Sequence, residues 1–211
     1  MNIKIISNEG GVGKSTLALI IAKSLALKSK KVALLDMDLL GYPSWVIGVE
    51  GNGIITTLLK NKDYKHAIKE IEIGKGSITT LKLFDGKEIT DLDRNILIEA
   101  MNIINDTLRN FKYVITDTPT MSFRERIKQL EPEGKSLMIT RYSSEIPSVT
   151  DSDTLGIIVN MVPDNFKTFS KHIKNEIVIP FYEQLFNFSG NINEIPIFDE
   201  ISKIETMFES S

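Results

Sequence analysis

The sequence predicts a three-layer α/β fold, with a mostly parallel, twisted sheet and helices on both faces. Two observations predict it. Short apolar runs alternate with longer segments whose apolar residues recur at helical spacing, the pattern of parallel strands joined by crossover helices. Further, the first run opens into a glycine-rich loop and two others close on aspartates, Asp36 and Asp117, which puts polar groups at the carboxyl ends of strands, where open parallel sheets bind ligands.

Residues 2–7, 32–36, 113–117, 136–140, 156–160 and 176–179 read as buried strands, with 79–84 as a further one. Residues 14–29 carry Leu17, Ile20, Ile21, Leu25 and Ala26 near helical spacing, and 93–109 carry Ile96, Ile103, Ile104 and Leu108 in the same way, so both read as core-facing helices. Residues 53–60 and 64–70 read as two short helices split at Asn61-Lys62-Asp63. At 211 residues, without repeat, low-complexity tract or Pro/Gly linker, the chain is expected to be a single domain over 1–211.

Composition excludes several classes. With 42% hydrophobic and 25% charged residues the chain is too apolar for disorder, and with no cysteine it cannot make disulfides, thiolate zinc sites or cysteine-held clusters. A net charge of -3 does not indicate DNA as a partner, although a local basic patch would still permit it. The first residues lack the features of a signal peptide, and the longest apolar stretch, 17–22, is far short of the roughly 20 residues that span a bilayer. A soluble, cytoplasmic protein is expected.

Residues 8–16, Asn-Glu-Gly-Gly-Val-Gly-Lys-Ser-Thr, meet the needs of a phosphate chain: inward backbone N–H groups, a cation and a metal-binding hydroxyl. Gly10, Gly11 and Gly13 permit a close curl of the backbone around Val12, Lys14 is expected to reach the β- and γ-phosphates, Ser15 to ligate Mg²⁺, and Thr16 to sit at a helix start whose dipole favours anions. A strand before the loop and a helix after it support a site for ATP/ADP with Mg²⁺. Position 8 departs from the strict pattern, with Asn8 in place of glycine. Asp36, Asp38 and Asp117, at the ends of the next strands, are expected to converge on the loop, hold the water shell of the metal and position an attacking water.

At these residues the chain resembles the ParA/MinD group of ATPases, whose variant loop has the form KGG-x-GK-[ST]; residues 9–15 here read Glu-Gly-Gly-Val-Gly-Lys-Ser. The resemblance covers most of the chain. Asp36-Met37-Asp38 is similar to the first switch of that family, residues 38–44 to the D-x-x-G-P-S wording of Mrp-like members with Tyr42 inserted, and Asp117-Thr118-Pro119 to the second switch. Residues 146–153 are similar to a helix start found in MinD proteins. The resemblance implies that Asn160, closing residues 157–160, reads adenine, and that Pro180 and Phe181 pack against the base; the guanine-reading N-K-x-D is missing after Asn160. It also implies a face-to-face, ATP-dependent homodimer that hydrolyses slowly and exchanges protein partners with nucleotide state. The lysine that opens the family's loop and reaches across the dimer is Glu9 here, a charge reversal that would cost roughly several kcal/mol beside phosphate at low effective dielectric. Glu9 therefore turns away, or another cation serves, with Arg124, Arg126 and Arg141 as candidates. Asp38 is expected to orient the water, with Lys14 as the other catalytic group and turnover weak unless a partner supplies charge.

Three functions compete on this reading: a positioning or partition ATPase acting on DNA or a protein assembly, an accessory ATPase of cofactor assembly without a cluster site, and a regulatory nucleotide binder with little hydrolysis. Small-molecule ligation on the same fold lacks a substrate pocket legible in the sequence. His66 and His172 are read as ordinary surface or core residues and Trp45 as packing against the sheet edge. The aromatic residues 181–188 are read as packing of a terminal helix, and the acidic stretch 198–211 argues against the basic membrane anchor of MinD proteins.

Overall fold

The computed structural model of the chain describes residues 1–60, 62–85, 93–142, 153–163, 175–185, 188 and 190–209. Eight strands, β1 (Asn2–Ile6), β2 (Lys31–Asp36), β3 (Ile68–Ile73), β4 (Gly76–Lys82), β5 (Tyr113–Asp117), β6 (Lys135–Arg141), β7 (Thr154–Val162) and β8 (Glu176–Pro180), form one sheet among the described residues, in the order β3-β4-β2-β5-β1-β6-β7-β8. Every pairing is parallel except β3 with β4. The helices are α1 (Lys14–Leu27), α2 (Tyr42–Ile47), α3 (Ile54–Leu59), α4 (Arg94–Leu108), α5 (Met121–Ile127) and α6 (Asp199–Glu209). None of the helices among the described residues is long and apolar enough to cross a membrane.

The two-residue period of the strands divides the apolar residues between two cores. In β2, Val32 and Leu34 join the core shared with α1, α2 and α6, while Ala33 and Leu35 join the one shared with α3, α4 and α5. Tyr113 and Ile115 of β5 face the first core and Val114 the second. The three layers expected from the sequence follow. α1 is buried continuously from Leu17 to Ala26, because the sheet, α2 and α6 surround it, and it accordingly has no polar face. α4 begins where Asp93 accepts a hydrogen bond from the Asn95 amide at 2.6 Å, and buries only Ala100, Ile103, Ile104 and Leu108.

The second short helix expected over 64–70 is not formed. Tyr64–Ala67 is a single 3₁₀ turn, capped by Asp63 accepting from the Lys65 amide at 3.0 Å, and the chain then extends into β3. A two-residue turn at Gly74 and Lys75, with Gly74 at φ 61°, folds β3 back on β4 as a hairpin. Ile71 pairs with Ile78 across that hairpin, and Lys69, Glu70 and Glu72 are the charged residues that blunt an edge strand. β4 correspondingly starts earlier than expected. Of the aromatic stretch after β8, residues 186–187 lie outside the described residues; Glu183–Leu185 is one 3₁₀ turn, Tyr182, Leu185 and Phe188 pack against the core that includes α6, and Phe181 is exposed. Trp45 does not pack against the sheet edge; it is 62% exposed on α2, 6.0 Å from the Tyr42 ring and in contact with Gly190. His66 is exposed in the 3₁₀ turn, whereas His172 and residues 146–152 lie outside the described residues.

In sheet order β1 stands between β5 and β6, so the loop that follows it opens at the point where successive strands are added in opposite directions. In open sheets of this kind that point is the ligand crevice.

Candidate functional site

β1 ends at Ile6, and the loop reaches α1 through Gly11 at φ 70° and Gly13 at φ 93°, conformations that glycine enters without penalty. Gly13 has a second reason to lack a side chain, since a Cβ there would fall 2.6 Å from Nδ2 of Asn160. At Gly10 a Cβ would meet only Thr120, at an ordinary 3.8 Å, so the fold alone does not demand glycine at that position. Ser7 organises the loop from inside: its hydroxyl donates to the Glu9 carbonyl at 2.5 Å and accepts from Lys14 Nζ at 3.3 Å. Lys14 is thereby held, 6% exposed, at the first position of a 14-residue helix, where backbone N–H groups have no intrahelical acceptor.

The three aspartates converge as expected but in unequal settings. Asp36, at the end of β2, is fully buried; its Oδ2 accepts from the Ser44 amide at 2.9 Å and from the Ser44 hydroxyl at 2.5 Å, and Oδ1 accepts from the Asp38 amide at 3.2 Å. Burial outweighs these bonds and pushes its carboxyl up to about 6, with the Asp38 charge adding to the rise. Asp117 lies directly across the strand pairing from Asp36 and is equally buried, yet neither of its carboxylate oxygens has a hydrogen-bond partner. Burial first, and then the Asp36 carboxylate, hold Asp117 well above the usual range, while the adjoining Ser15 hydroxyl pulls the other way. Asp38 is half-buried, and its Oδ1 accepts from the Leu40 amide at 2.9 Å.

Gly10, Gly11, Gly13, Lys14, Ser15, Thr16 and Asp38 border one open cleft, together with Leu40, Tyr42, Thr120 and Met161. A second cleft of about 180 Å³ is lined by Gly13, Thr16, Asn160, Pro180 and Phe181, together with Tyr182, Leu185 and Phe198. Tyr182 and Phe198 stack at 4.0 Å and 6°, and the Tyr182 hydroxyl donates to Glu200 Oε2 at 2.9 Å; burial first, and then this bond, push its pKa up to about 12. Asn160 is turned inward, donating from Nδ2 to the Val12 carbonyl at 2.8 Å. Of the residues singled out in the sequence, Gly10, Gly11, Gly13, Lys14, Ser15, Thr16, Asp38, Asn160, Pro180 and Phe181 thus border one or both of these clefts.

The sequence reading did not find Ser7, Thr120, Tyr182 and Phe198. Thr120, three residues after Asp117, could have been included with the segment that follows that strand. Phe198 carries no local signal, because its place is set by stacking on Tyr182 and not by any motif.

The residues fit a magnesium ion bound in company with phosphate. Asp117 has two buried oxygens without partners, Ser15 adjoins it, and Lys14 supplies the neighbouring positive charge. No group of three or more His, Cys, Asp or Glu among the described residues could hold a metal alone. That is the donor set expected for magnesium, which keeps several waters and takes few protein ligands.

Glu9 faces Arg141 at the end of β6, with 3.4 Å between carboxylate and guanidinium and both side chains about half exposed. It is not among the residues that border either cleft and, exposed as it is, the pair contributes little to stability. Arg124 is 5% exposed and forms a bidentate pair with Glu131 at 2.6 and 2.8 Å. Arg126 lies over the Phe123 ring.

The nucleotide-binding domain family described as CobQ/CobB/MinD/ParA matches residues 3–205. The septum site-determining protein MinD of Thermotoga maritima is 27% identical over 160 residues, 75% of this chain and 58% of that protein. The chain thus spans little more than half the length of that curated relative. A cytosolic Fe-S cluster assembly factor, the Nubp2 homolog of Aedes aegypti, is 26% identical over 182 residues, covering 75% of this chain and 68% of the relative. In fold the chain is similar to the cell division ATPase MinD of Pyrococcus furiosus, with a TM-score of 0.68 at 17% identity over 99% of this chain and 98% of that one. With a glycine-rich loop seated at the switch point of the sheet and a family match over nearly its whole length, the chain belongs to the CobQ/CobB/MinD/ParA family of nucleotide-binding domains.

Proposed function

We propose that the chain is an ATP-binding, slowly hydrolysing molecular switch of the ParA/MinD type that helps to position or partition a cargo. The observation that carries this reading is Asp117, a buried carboxylate with no partner of its own beside Ser15 and Lys14. An unsatisfied charge in that place costs stability unless a ligand completes it.

On this reading the amides at the start of α1 and the Lys14 ammonium hold the β- and γ-phosphates, while Ser15 and Asp117 hold Mg²⁺, directly or through its waters. Magnesium supplies charge neutralisation at the transferring phosphoryl group. Asp36, engaged by Ser44, fixes the turn that presents Asp38, and Asp38 orients the attacking water. The adenine occupies the cleft lined by Asn160, Pro180 and Phe181. Asn160 donates from its amide nitrogen to Val12, the Tyr182 hydroxyl donates to Glu200 and the Phe181 amide to Val162 at 3.0 Å, so the asparagine oxygen is left as an acceptor suited to the exocyclic amine of adenine.

Glu9, paired with Arg141, leaves the loop without the cross-dimer lysine, and weak turnover by the chain alone follows, with a homodimer or another protein supplying the missing charge. A positioning role is favoured by similarity to a septum site-determining protein. Similarity to a cytosolic Fe-S cluster assembly factor favours a second reading, an accessory ATPase of cofactor assembly, although without cysteine the chain itself holds no cluster by thiolates.

Equilibrium titration with a fluorescent ATP analogue and Mg²⁺ tests the reading. Saturable binding displaced by ATP more readily than by GTP is expected, and Lys14→Ala is expected to weaken it by about 2–4 kcal/mol, or more than tenfold. Equal affinity in Lys14→Ala and the unaltered chain would sink the proposal.

A further inference from the structure

We propose that Asn160 and Met161, at the end of β7, form a clasp that seats the phosphate loop, so that Asn160 is a positioning residue for the phosphates and not only a neighbour of the base. The inference rests on the nucleotide site proposed above and concerns how that site is kept in shape.

β7 follows β8 in regular register as far as Val159 and then shifts before Val162. Within the shift Met161 takes φ 59°, a left-handed conformation that a non-glycine residue adopts only when its surroundings impose it. The irregularity begins at Asn160, whose amide is directed to the loop. There Asn160 Nδ2 donates to the Val12 carbonyl at 2.8 Å, between residues 8% and 0% exposed. The next carbonyl, that of Gly13, accepts from the Leu17 amide at 2.9 Å and belongs to the first turn of α1. Of the two carbonyls that enter the helix, one is therefore held by the helix itself and the other by a side chain contributed from 148 residues away.

Gly13 completes the fit. A Cβ on Gly13 would collide with Asn160 Nδ2 at 2.6 Å and touch Met161 Cε at 3.8 Å, so the clasp closes over the glycine that immediately precedes Lys14. Met161 borders both clefts, the one beside the phosphate loop and the one assigned to the base. Only an amide nitrogen can donate to the Val12 carbonyl, which fixes the side chain's orientation and leaves its oxygen to the base cleft. One side chain thus anchors the loop with its donor while offering its acceptor to the ligand.

Two variants separate these roles. Asn160→Asp keeps an acceptor and the side-chain size but loses the donor, and Asn160→Ala loses both without adding charge. Without any nucleotide, hydrogen exchange in peptides covering residues 10–17 is expected to accelerate about tenfold in both variants while α6 stays within about twofold. Unchanged exchange over 10–17, or acceleration shared equally by α6, overturns the clasp. Inorganic tripolyphosphate, which has no base, is expected to bind about tenfold more weakly to both variants. If ATP binding falls while tripolyphosphate binding does not, Asn160 serves the base alone and the clasp is wrong. If the unaltered chain binds neither ATP nor tripolyphosphate, the nucleotide reading fails, and the exchange measurement still decides the clasp.

Discussion

Asp36 and Asp117 sit opposite one another at the ends of adjacent strands, both without solvent exposure, and the fold treats them in opposite ways. Asp36 receives three hydrogen bonds from its own surroundings, two of them from Ser44 at the start of α2. Neither oxygen of Asp117 is paired within hydrogen-bond geometry, and only the adjoining Ser15 hydroxyl bears on it as a donor. A buried carboxylate that is fully engaged shapes the chain around it, whereas one left bare is an expense that makes sense only with a ligand present. The pair separates, within one strand register, a group that builds the site from a group that uses it.

The largest expected effect comes from removing the bare charge. Asp117→Asn is expected to stabilise the ligand-free chain by about 1–3 kcal/mol at pH 8, in urea unfolding, and to weaken Mg²⁺-dependent ATP binding by about 10- to 100-fold. Loss of stability together with unchanged binding would break the contrast between the two acids.

The same burial has a pH signature. Asp36 titrates near about 6 in the folded chain, against 3.8 for an ordinary aspartate. Between those values the folded state holds more protons than the unfolded one, so this contribution is complete below about pH 4 and is lost as pH rises through about 6, on the order of 2–3 kcal/mol. Asp117, raised in the same direction, extends the decline upwards. Urea denaturation from pH 4 to pH 8 without magnesium should show it, and a rise in stability over that range would contradict it.

A smaller effect is expected from Ser44→Ala, which deletes the 2.5 Å hydroxyl bond to Asp36 but leaves the amide bond. A loss of about 1–2 kcal/mol in thermal or urea unfolding is expected. Binding of Mg²⁺-ATP should change much less than in Asp117→Asn, and a comparable loss of binding would show that the two acids share one role.

This contrast was invisible in the sequence, where both residues read alike as aspartates closing apolar runs. The phosphate loop was legible because its demands are local: glycines at 11 and 13, then Lys14 and Ser15 at a helix start. The parallel sheet was legible from its apolar runs, but β3 was not, since Ile68, Ile71 and Ile73 fit a helical spacing nearly as well as an edge strand and the turn at Gly74 decided the matter. The aromatic lining of the base cleft was hidden for a different reason. Tyr182 and Phe198 stack across a stretch with no regular period, so only three-dimensional packing brings them together. Glu9 was recognised as a departure, but its pairing with Arg141 depends on β6 lying beside β1, a neighbour relation that the order of strands in the chain does not give.

The position of β1 also sets a schedule for biosynthesis. Its Asn2 pairs with Val114 on one side and its Ile3 with Lys135 on the other, so β1 gains neither hydrogen-bonded neighbour until β5 and then β6, far downstream of it, have been synthesised. Until then the glycine-rich segment that follows it has no fixed support. Long-range pairings of this kind carry the loop-closure cost that slows folding. For a nascent chain, the ability to retain a nucleotide is consequently a late acquisition, reached only once β5 and β6 have emerged and closed around the first strand.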